Sequence, residues 1–168
     1  AIHLDSGVAH FESHAEGVRL HLRDGRCIEG DALIGADGVH LGREDEAPSV
    51  VRREVGPDML IGVSCYADLA RAQGFLTEDV AYIAFGAMFA SQTKPLAPPA
   101  PLEVVTAGRA LCEQFAAPRP GVVAIGGITV QNAGQLVAAG VDSLAVVGGL
   151  FMADDIEETA RKLCASFA

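Results

Sequence analysis

Two short apolar stretches that end in paired glycines constrain the fold of this 168-residue chain more than any other feature. Val122 to Thr129 is Val-Val-Ala-Ile-Gly-Gly-Ile-Thr, and Ser143 to Leu150 is Ser-Leu-Ala-Val-Val-Gly-Gly-Leu. An apolar run that passes directly into a helical pattern is typical of a buried parallel strand whose carboxyl end meets a loop. Glycines let backbone N–H groups approach an anion, and a helix start adds its positive dipole end. The pair indicates a phosphate site; the alternative is two tight turns without a ligand.

Strand and helix patterns alternate from Ala36 to the carboxyl end, which predicts parallel βα units. After a strand that ends near Val39, we predict strands at 59–63, 81–85, 122–125 and 144–147. The predicted helices cover 46–55, 67–73, 102–115, 131–139 and 154–167. In the third of these helices, the residues expected in the core are Leu102, Val105, Ala110 and Leu111. In α/β barrels a phosphate commonly lies at the loops after the last two strands, where both Gly-Gly pairs stand.

Residues 1–35 have a different pattern. Val18 to Leu22 alternates apolar and polar residues, a turn signal covers 23–26, and Cys27 to Ile34 resumes an extended pattern. With a further strand at 2–13, this segment is predicted to be an antiparallel β-meander, separate from the βα segment at 36–168. The segment's four histidines (His3, His10, His14 and His21) lack tight metal-ligand spacing, so we interpret them as exposed strand positions.

Charge and cysteine content exclude several classes of partner and location. The chain has 12 basic and 22 acidic residues, a net charge of -10, which argues against binding to nucleic acid or an anionic membrane. The four cysteines form no C-x-x-C pair and are interpreted as reduced, mostly buried thiols. No apolar run approaches about 18 residues, and no signal-peptide pattern opens the sequence. We therefore expect a soluble, cytoplasmic protein.

Polar residues collect where the predicted strands end, at His40 to Asp45, at Ser64 and at Gly86 to Lys94. These stretches offer carboxylates for a hard cation, hydroxyls and one lysine, but no nucleophile paired with a base. Each residue also has a purely structural interpretation. Asp45 is well placed to cap the helix that follows, Ser64 and Lys94 are ordinary strand-end and loop residues, and His40 is a hydrogen-bonded structural residue.

The order of these strand ends resembles the thiamine phosphate synthase family over about 36–168. The motifs that carry the resemblance are Asp37-Gly38-Val39-His40-Leu41-Gly42-Arg43-Glu44-Asp45, Gly62-Val63-Ser64, Ser91-Gln92-Thr93-Lys94, and Ile125-Gly126-Gly127-Ile128-Thr129 with Asn132. The resemblance implies a (βα)8 TIM barrel, of which this chain has the last five βα units. It also implies a transferase that joins hydroxymethylpyrimidine diphosphate to thiazole phosphate, releases diphosphate and uses Mg²⁺.

The resemblance also implies roles for particular residues. Asp45 would bind Mg²⁺, and Ser64 and Lys94 would hold the diphosphate leaving group, with the lysine charge stabilising its departure. Five further residues would bind the thiazole substrate: Ser91 and Thr93 line its thiazole side, and Gly127, Val147 and Gly148 cradle its phosphate. The phosphorylated substrates are therefore the expected partners.

The family's first three βα units, with their Gln-x-Arg-x-Lys strand end and Asn-Asp pair, have no counterpart before Ala36. The resemblance assigns diphosphate contacts and the second Mg²⁺ carboxylate to those units, so impaired activity is expected of this chain. Instead, residues 1–40 resemble the strand-turn-strand and second flavin-contacting motif of aromatic-ring flavoprotein monooxygenases, with Asp37 at the flavin-contacting position. The chain has no G-x-G-x-x-G, so flavin binding is not expected. We interpret the sequence as a fusion at Ile34 to His40. The five-stranded barrel segment would have open edges, through which the chain is expected to form a homo-oligomer.

Two alternatives to a thiamine phosphate synthase-like enzyme follow from the same residues. A non-catalytic phosphate-binding fragment would keep both Gly-Gly turns without performing the condensation. A thiazole tautomerase-like isomerase would share the barrel, but it would not be expected to keep Ser91-Gln92-Thr93-Lys94 together with Asp45. The synthase-like interpretation is the one that uses every motif.

Overall fold

The computed structural model describes residues 8–14, 17–22, 27–30, 38–90 and 98–168, with side chains for the last two ranges. The first three ranges are strands β1 (Val8–His14), β2 (Gly17–Leu22) and β3 (Cys27–Gly30). They pair antiparallel in the order β1-β2-β3, with Phe11 opposite Leu20 and Leu20 opposite Ile28. The histidine side chains of this segment lie outside the described part of the chain.

A second sheet contains five parallel strands in chain order, which is half of a TIM-like barrel. They are β4 (Gly38–Leu41), β5 (Leu60–Tyr66), β6 (Tyr82–Phe85), β7 (Gly121–Ile125) and β8 (Ser143–Ala145). Neighbouring strands are parallel throughout, with His40 opposite Gly62 and Gly62 opposite Tyr82. The predicted five βα units are therefore confirmed.

Helices follow the strands. They are α1 (Pro48–Val55), α2 (Leu69–Phe75), α3 (Glu103–Cys112), α4 (Val130–Ala138), α5 (Gly148–Phe151) and α6 (Ile156–Ala165). Local chemistry sets several boundaries: the side chain of Asp68 accepts from the Arg71 N–H and that of Asp155 from the Glu158 N–H. Past the end of α4, Gly140 adopts φ +102°, as a C-terminal glycine should. The short helix α5 was not predicted.

The two faces of the parallel sheet differ in burial. Residues that face the helices are almost fully enclosed, for example Ile61, Val63, Ile83, Phe85 and Val122, each at 0–1% exposure. Because strand side chains alternate, their neighbours point to the opposite, inner face. On that face Leu60 is 53% exposed and Ile125 38%. The core therefore lies between strands and helices, and the inner face stays accessible.

Helix α3 packs very closely on the sheet. A Cβ built on Gly108 would stand 2.2 Å from the Phe85 ring, so only glycine admits that ring at this position. The buried face of α3 consists of Val104, Val105, Gly108 and Cys112. Of the residues predicted for this face, Val105 is buried and Leu111 half-buried, whereas Leu102 is 37% exposed and Ala110 is also exposed. The Leu102 and Ala110 predictions were wrong, because Leu102 occupies the N-cap position and Ala110 lies off the buried stripe.

An ion-pair network ties α3 to the amino-terminal end of β8. Asp142 accepts from Arg119 Nη2 at 2.6 Å, from Arg109 Nη1 at 2.8 Å and from the Val122 N–H at 2.8 Å. Burial by itself would raise the pKa of Asp142, but the Arg119 and Val122 hydrogen bonds and both guanidinium charges together lower it. Arg109 also pairs with Glu113 at 2.7 Å. The network holds this carboxylate in its charged form.

Candidate functional site

The carboxyl ends of β4 to β8 meet at one edge of the sheet, and the first of them leads into a tight turn. The Gly42 N–H donates to Asp45 Oδ2 at 2.6 Å, and Asp45 is exposed. Helix α1 starts beyond it, with Ala47 at the N-cap and no side-chain cap. The helix-capping alternative for Asp45 was therefore wrong: its carboxylate closes the turn after β4 and remains accessible at the strand edge.

Arg71 of α2 is hydrogen-bonded to two strand ends at this edge. Its Nη2 donates to the Gly42 carbonyl at 3.1 Å, and its Nε donates to the Ser64 carbonyl at 3.0 Å. One guanidinium thus links the ends of β4 and β5. Beside it, the Arg43 guanidinium lies 4.4 Å from the centre of the Tyr66 ring. Both guanidinium groups lie in the segment that also carries Asp45 and Ser64.

Three side chains from three neighbouring strands form a hydrogen-bonded row on the inner face. His40 of β4 bonds through Nε2 to Ser64 Oγ at 2.8 Å, and through Nδ1 to the Tyr82 hydroxyl at 3.1 Å. The His40 and Tyr82 rings are also roughly parallel, with centroids 5.7 Å apart. His40 is exposed on this face. The prediction that His40 is a hydrogen-bonded residue is confirmed, and one of its partners is a predicted site residue.

Gly62 makes room for this row. A Cβ on Gly62 would lie 1.9 Å from Tyr82 Cζ, so the tyrosine ring lies directly over the glycine. The register explains the contact, because Gly62 lies between His40 and Tyr82 in the same row across three strands. A larger residue at this position would push the Tyr82 ring off its place.

The Gly-Gly turn after β7 is built around close backbone packing. Gly126 and Gly127 have φ of +97° and +65°. The loop after β6 continues alongside, since the Met88 N–H donates to Ile125 O at 3.0 Å and the Phe89 N–H donates to Gly126 O at 3.1 Å. A Cβ on Gly127 would stand 2.5 Å from the Ala90 carbonyl oxygen. Both conformation and space therefore require glycine here.

Asn132 holds the same turn from the first turn of α4. Its Oδ1 accepts from the Thr129 N–H at 2.8 Å, and its Nδ2 donates to the Gly127 carbonyl at 3.0 Å. Through one side chain, the loop is tied to the helix on both sides of Ile128, which is itself 2% exposed. The turn is thus rigidly held before any ligand binds.

The second Gly-Gly pair opens α5 and lies against the first turn. A Cβ on Gly149 would come within 2.0 Å of the Ile128 carbonyl oxygen, so the loops after β7 and β8 are in direct contact. A cleft of about 280 Å³ lies where they meet. Its lining residues are Thr129, Val130, Gln131, Gly148, Gly149, Met152, Ala153 and Thr159. Val147 is 64% exposed beside it.

The structure therefore brings most of the predicted site residues to one edge. Asp45, Ser64, Gly127, Val147 and Gly148 all follow or end strands of the parallel sheet. Ser91, Thr93 and Lys94 lie outside the described residues. Sequence reasoning missed Tyr82 as a partner of His40. It singled out the Gly148-Gly149 pair, but it named only Gly148 as a phosphate-binding residue.

The described part of the chain contains three free cysteines and no cluster of potential metal ligands. Cys65 is buried and burial raises its pKa to about 12; burial raises the pKa of Cys112 as well. Both are free, as is the exposed Cys164, which agrees with the predicted reduced thiols. Residues 38–90 and 98–168 contain no group of three or more histidine, cysteine, aspartate or glutamate side chains arranged for a metal. Their helices include none long and apolar enough to cross a membrane.

Comparison with known proteins identifies the family. The family profile of thiamine monophosphate synthase (TMP-TENI) matches residues 14–150. The chain belongs to this family. It is 53% identical over 135 residues to the thiamine-phosphate synthase of Bordetella pertussis (80% of this chain, 62% of the relative). To that of Acidithiobacillus ferrooxidans it is 44% identical over 135 residues (80% of this chain, 59% of the relative).

Solved structures agree with this family. The thiamine phosphate pyrophosphorylase from Pyrococcus furiosus superimposes with a TM-score of 0.64 at 31% identity, over 79% of this chain and 59% of that one. A 3-hexulose-6-phosphate synthase matches with a TM-score of 0.54 at 19% identity, over 80% of this chain and 63% of that one. This second likeness concerns the fold alone.

The comparisons also bear on the extent of the chain. The chain spans about 60% of the length of the first of these synthases. The family match begins at residue 14, within the segment that resembles flavoprotein monooxygenases, and that second resemblance receives no support. The boundary at 35/36 between a meander and a barrel segment stays a prediction.

Proposed function

We propose that this chain carries out the thiamine phosphate synthase reaction, joining hydroxymethylpyrimidine diphosphate to thiazole phosphate with release of diphosphate. The observation that carries the proposal is the arrangement of Asp45, Ser64 and the two Gly-Gly turns at one sheet edge, in a chain of this family. In this reaction the C–O bond to diphosphate breaks, and the thiazole nitrogen then forms the new C–N bond. The protein's task is to position both substrates and to stabilise the departing charge.

The diphosphate end of the site is formed by β4, β5 and the loop after β6. Ser64 is half-buried, and its carbonyl accepts a hydrogen bond from Nε of Arg71 in α2 at 3.0 Å. A second cation, Arg43, lies in the turn after β4 beside the Tyr66 ring. Lys94, which follows β6 in the sequence, would add a positive charge for the leaving group. We propose that Ser64 and Lys94 hold the diphosphate and that these charges offset the acidic field of the whole chain.

Asp45 fits a role as a Mg²⁺ ligand. One carboxylate oxygen is occupied by the Gly42 N–H, the side chain is exposed, and Mg²⁺ in phosphate-transferring sites is commonly held by one or two carboxylates, waters and substrate oxygens. When bound, the ion would neutralise charge on the diphosphate. Asp45, ordered by its own turn, would present the second oxygen to it.

The thiazole phosphate end is formed by the paired turns after β7 and β8. Gly127, Val147 and Gly148 would direct main-chain N–H groups at the phosphate, and Ser91 and Thr93 would line the thiazole. The support for this assignment is the cleft between these turns, which Gly148 lines and which Asn132 stabilises from one side. Because the turns are already held in place without ligand, phosphate binding would lose little conformational entropy in the loops.

The first experiment separates folding and binding from catalysis. A thermal melt of the full chain is recorded with and without thiazole phosphate, and a ligand that binds only the native state must raise the Tm. At a ligand concentration 100 times the Kd, the native state gains about 2.7 kcal/mol, a shift of several degrees for a chain of this size. A melt that ignores the ligand would refute the proposed phosphate site.

The second experiment measures the condensation itself. Thiamine phosphate formed from both substrates with Mg²⁺ is quantified by chromatography for the natural chain and for two matched pairs. Asp45→Asn is compared with Asp58→Asn, and Ser64→Ala with Ser166→Ala, because both control positions are remote from the carboxyl ends of the strands. We expect each site variant to lose tenfold or more of the rate, since hydrogen bonds to charged groups contribute about 1.5–3 kcal/mol. Phosphate binding without turnover would instead identify a non-catalytic phosphate-binding protein.

The open edges of the sheet suggest self-association. Within the described parallel sheet, β4 and β8 each pair on one side only, and unpaired strand edges favour pairing with another chain. We propose a homo-oligomer formed through these edges, and the free, buried thiols of Cys65 and Cys112 support a reducing, cytoplasmic setting. Light scattering tests the assembly: a monodisperse monomer over a range of concentrations contradicts it.

A further inference from the structure

Beyond the family's expected site residues, we infer that Tyr82 and His40 are positioning residues that orient the Ser64 hydroxyl as a hydrogen-bond donor toward the leaving diphosphate. The inference rests on the proposed function, because it assigns the ligand of Ser64. It is carried by the unbroken chain of contacts from Tyr82 Oη through both ring nitrogens of His40 to Ser64 Oγ. The three side chains come from β6, β4 and β5, so the relay exists only when the barrel segment is folded.

Proton positions decide what Ser64 can offer. A neutral imidazole has one N–H and one acceptor nitrogen. If Tyr82 donates to Nδ1, then Nε2 carries the proton and donates to Ser64 Oγ, which leaves the serine O–H free for another acceptor. If Nδ1 carries the proton instead, the serine O–H is consumed by Nε2, and Ser64 offers only lone pairs.

An ionised diphosphate distinguishes these two arrangements. Its oxygens accept hydrogen bonds and donate none, so a serine that offers only lone pairs would repel it. Of the two neutral tautomers, only the one in which Tyr82 donates to His40 Nδ1 leaves the Ser64 O–H for this ligand. Burial raises the pKa of Tyr82, which keeps its phenol protonated and able to donate. The two distances are compatible with either neutral tautomer, and the ligand's chemistry selects the one in which Tyr82 donates.

The glycine beneath the row supports this role. Gly62 leaves the space in which the Tyr82 ring lies, with no room for a Cβ, and it stands between His40 and Tyr82 in the sheet register. The tyrosine hydroxyl is therefore held at a fixed height relative to the imidazole. A relay of this kind needs such fixed placement, because hydrogen bonds weaken steeply when distance or angle is lost.

The test combines a double-mutant cycle with a direct reading of the tautomer. Affinity for inorganic diphosphate with Mg²⁺ is measured by calorimetry for the natural chain, Tyr82→Phe, Ser64→Ala and the double variant. We expect Ser64→Ala to weaken binding about tenfold or more and Tyr82→Phe about threefold to tenfold. In the Ser64→Ala background, Tyr82→Phe should change affinity less than about twofold, since it acts only through the serine.

Tyr66→Phe is the matched control, because it removes the same phenolic hydroxyl from the other tyrosine of the chain. It should leave diphosphate affinity within about twofold. Equal melting curves for the natural chain and both phenylalanine variants show that packing is preserved. Losses from Tyr82→Phe and Ser64→Ala that simply add would refute the relay, because the tyrosine would then act by another route.

Nitrogen NMR of the histidine rings, with diphosphate bound, reads the tautomer directly. The His40 signal is assigned by its loss in His40→Gln. We expect protonated Nε2 and unprotonated Nδ1 in the natural chain, with both shifts moving toward a mixture in Tyr82→Phe. A protonated Nδ1 in the complex overturns the relay. If the natural chain binds no diphosphate, the proposed function itself is refuted. If it binds diphosphate but the losses from Tyr82→Phe and Ser64→Ala add, only the relay is refuted.

Discussion

Replacing Gly127 by alanine tests whether the phosphate turn is as tightly constrained as its geometry implies. The residue has φ +65°, and a Cβ would stand 2.5 Å from the Ala90 carbonyl oxygen and 2.6 Å from the Phe89 carbonyl oxygen. Those neighbours are backbone atoms, so no side chain can rotate away. The loop after β6 must instead separate from the end of β7, where Phe89 N–H and Gly126 O are 3.1 Å apart.

The cost has two parts. Left-handed backbone costs a non-glycine residue about 1–2 kcal/mol, and overpacking typically costs about 1–3 kcal/mol more. For a chain of this size each kcal/mol lowers Tm by about 2–4 °C, so Gly127→Ala should lower Tm by roughly 4–20 °C. Thiazole phosphate should lose most of its stabilising effect, because the displaced N–H belongs to the proposed cradle.

Gly74→Ala is the matched comparison. Gly74 lies exposed in α2 without a positive φ, and a Cβ added to it would have nothing within 4 Å. Alanine there should be neutral or stabilise by up to about 1 kcal/mol, because glycine is the poorer helix former. Thermal melts followed by circular dichroism measure both variants. A Tm for Gly127→Ala within about 2 °C of the natural chain would refute the claim that conformation and space both require glycine.

Three further predictions concern the scaffold. Asp142→Asn should destabilise the chain by about 1–2 kcal/mol at pH 7. Because the pKa of Asp142 is lowered in the folded state, this difference is present above the usual aspartate pKa and is lost as pH falls through the folded-state pKa. Urea titrations of both proteins from pH 7 to 3 measure it. Arg71→Ala should cost about 1–3 kcal/mol by releasing two carbonyls at the sheet edge, whereas a variant as stable as the natural chain would show that the bridge contributes nothing. Iodoacetamide at pH 8 should modify Cys164 and spare Cys65 and Cys112 until urea is added, and mass spectrometry of native protein labelled at Cys65 would contradict the burial that raises its pKa to about 12.

Much of the barrel segment was predictable because its signals are local. Strands β5 to β8 fall within a few residues of their predicted bounds, since buried parallel strands are short apolar runs that end in turn residues. The end of α4 was predicted from Gly140, whose φ of +102° needs no tertiary context. The collection of polar residues at the strand ends was predicted by the same logic, because parallel strands present their carboxyl ends at one edge. The roles of individual residues came from the family resemblance.

Other features depend on contacts between distant residues, which a local pattern does not contain. Asp45 precedes a helix as a capping residue would. Its carboxylate instead accepts a hydrogen bond from the Gly42 N–H, three residues earlier. Leu102 fits the apolar stripe of α3, but the close approach of Phe85 at Gly108 fixes which face is buried. Helix α5 is four residues long and begins with two glycines, so helix propensity argues against it. Its close contact with the preceding loop, where a Cβ on Gly149 would lie 2.0 Å from the Ile128 carbonyl oxygen, is not visible in a local pattern.

The row of His40, Gly62 and Tyr82 shows what such distant contacts add to a barrel segment. Paired strands place one residue of each strand at the same level of the sheet. At the level of His40 and Tyr82 the residue between them is Gly62, and its lack of a side chain leaves room for the two rings. Gly62 is therefore needed for the packing of the His40 and Tyr82 side chains on the two neighbouring strands, and not for the conformation of β5 itself. The same row delivers the imidazole to Ser64, one inward-facing position further along β5. Packing at one level of the sheet thereby sets the hydrogen bonding of a site residue at the next, and a change at Gly62 should disturb Ser64 without touching it.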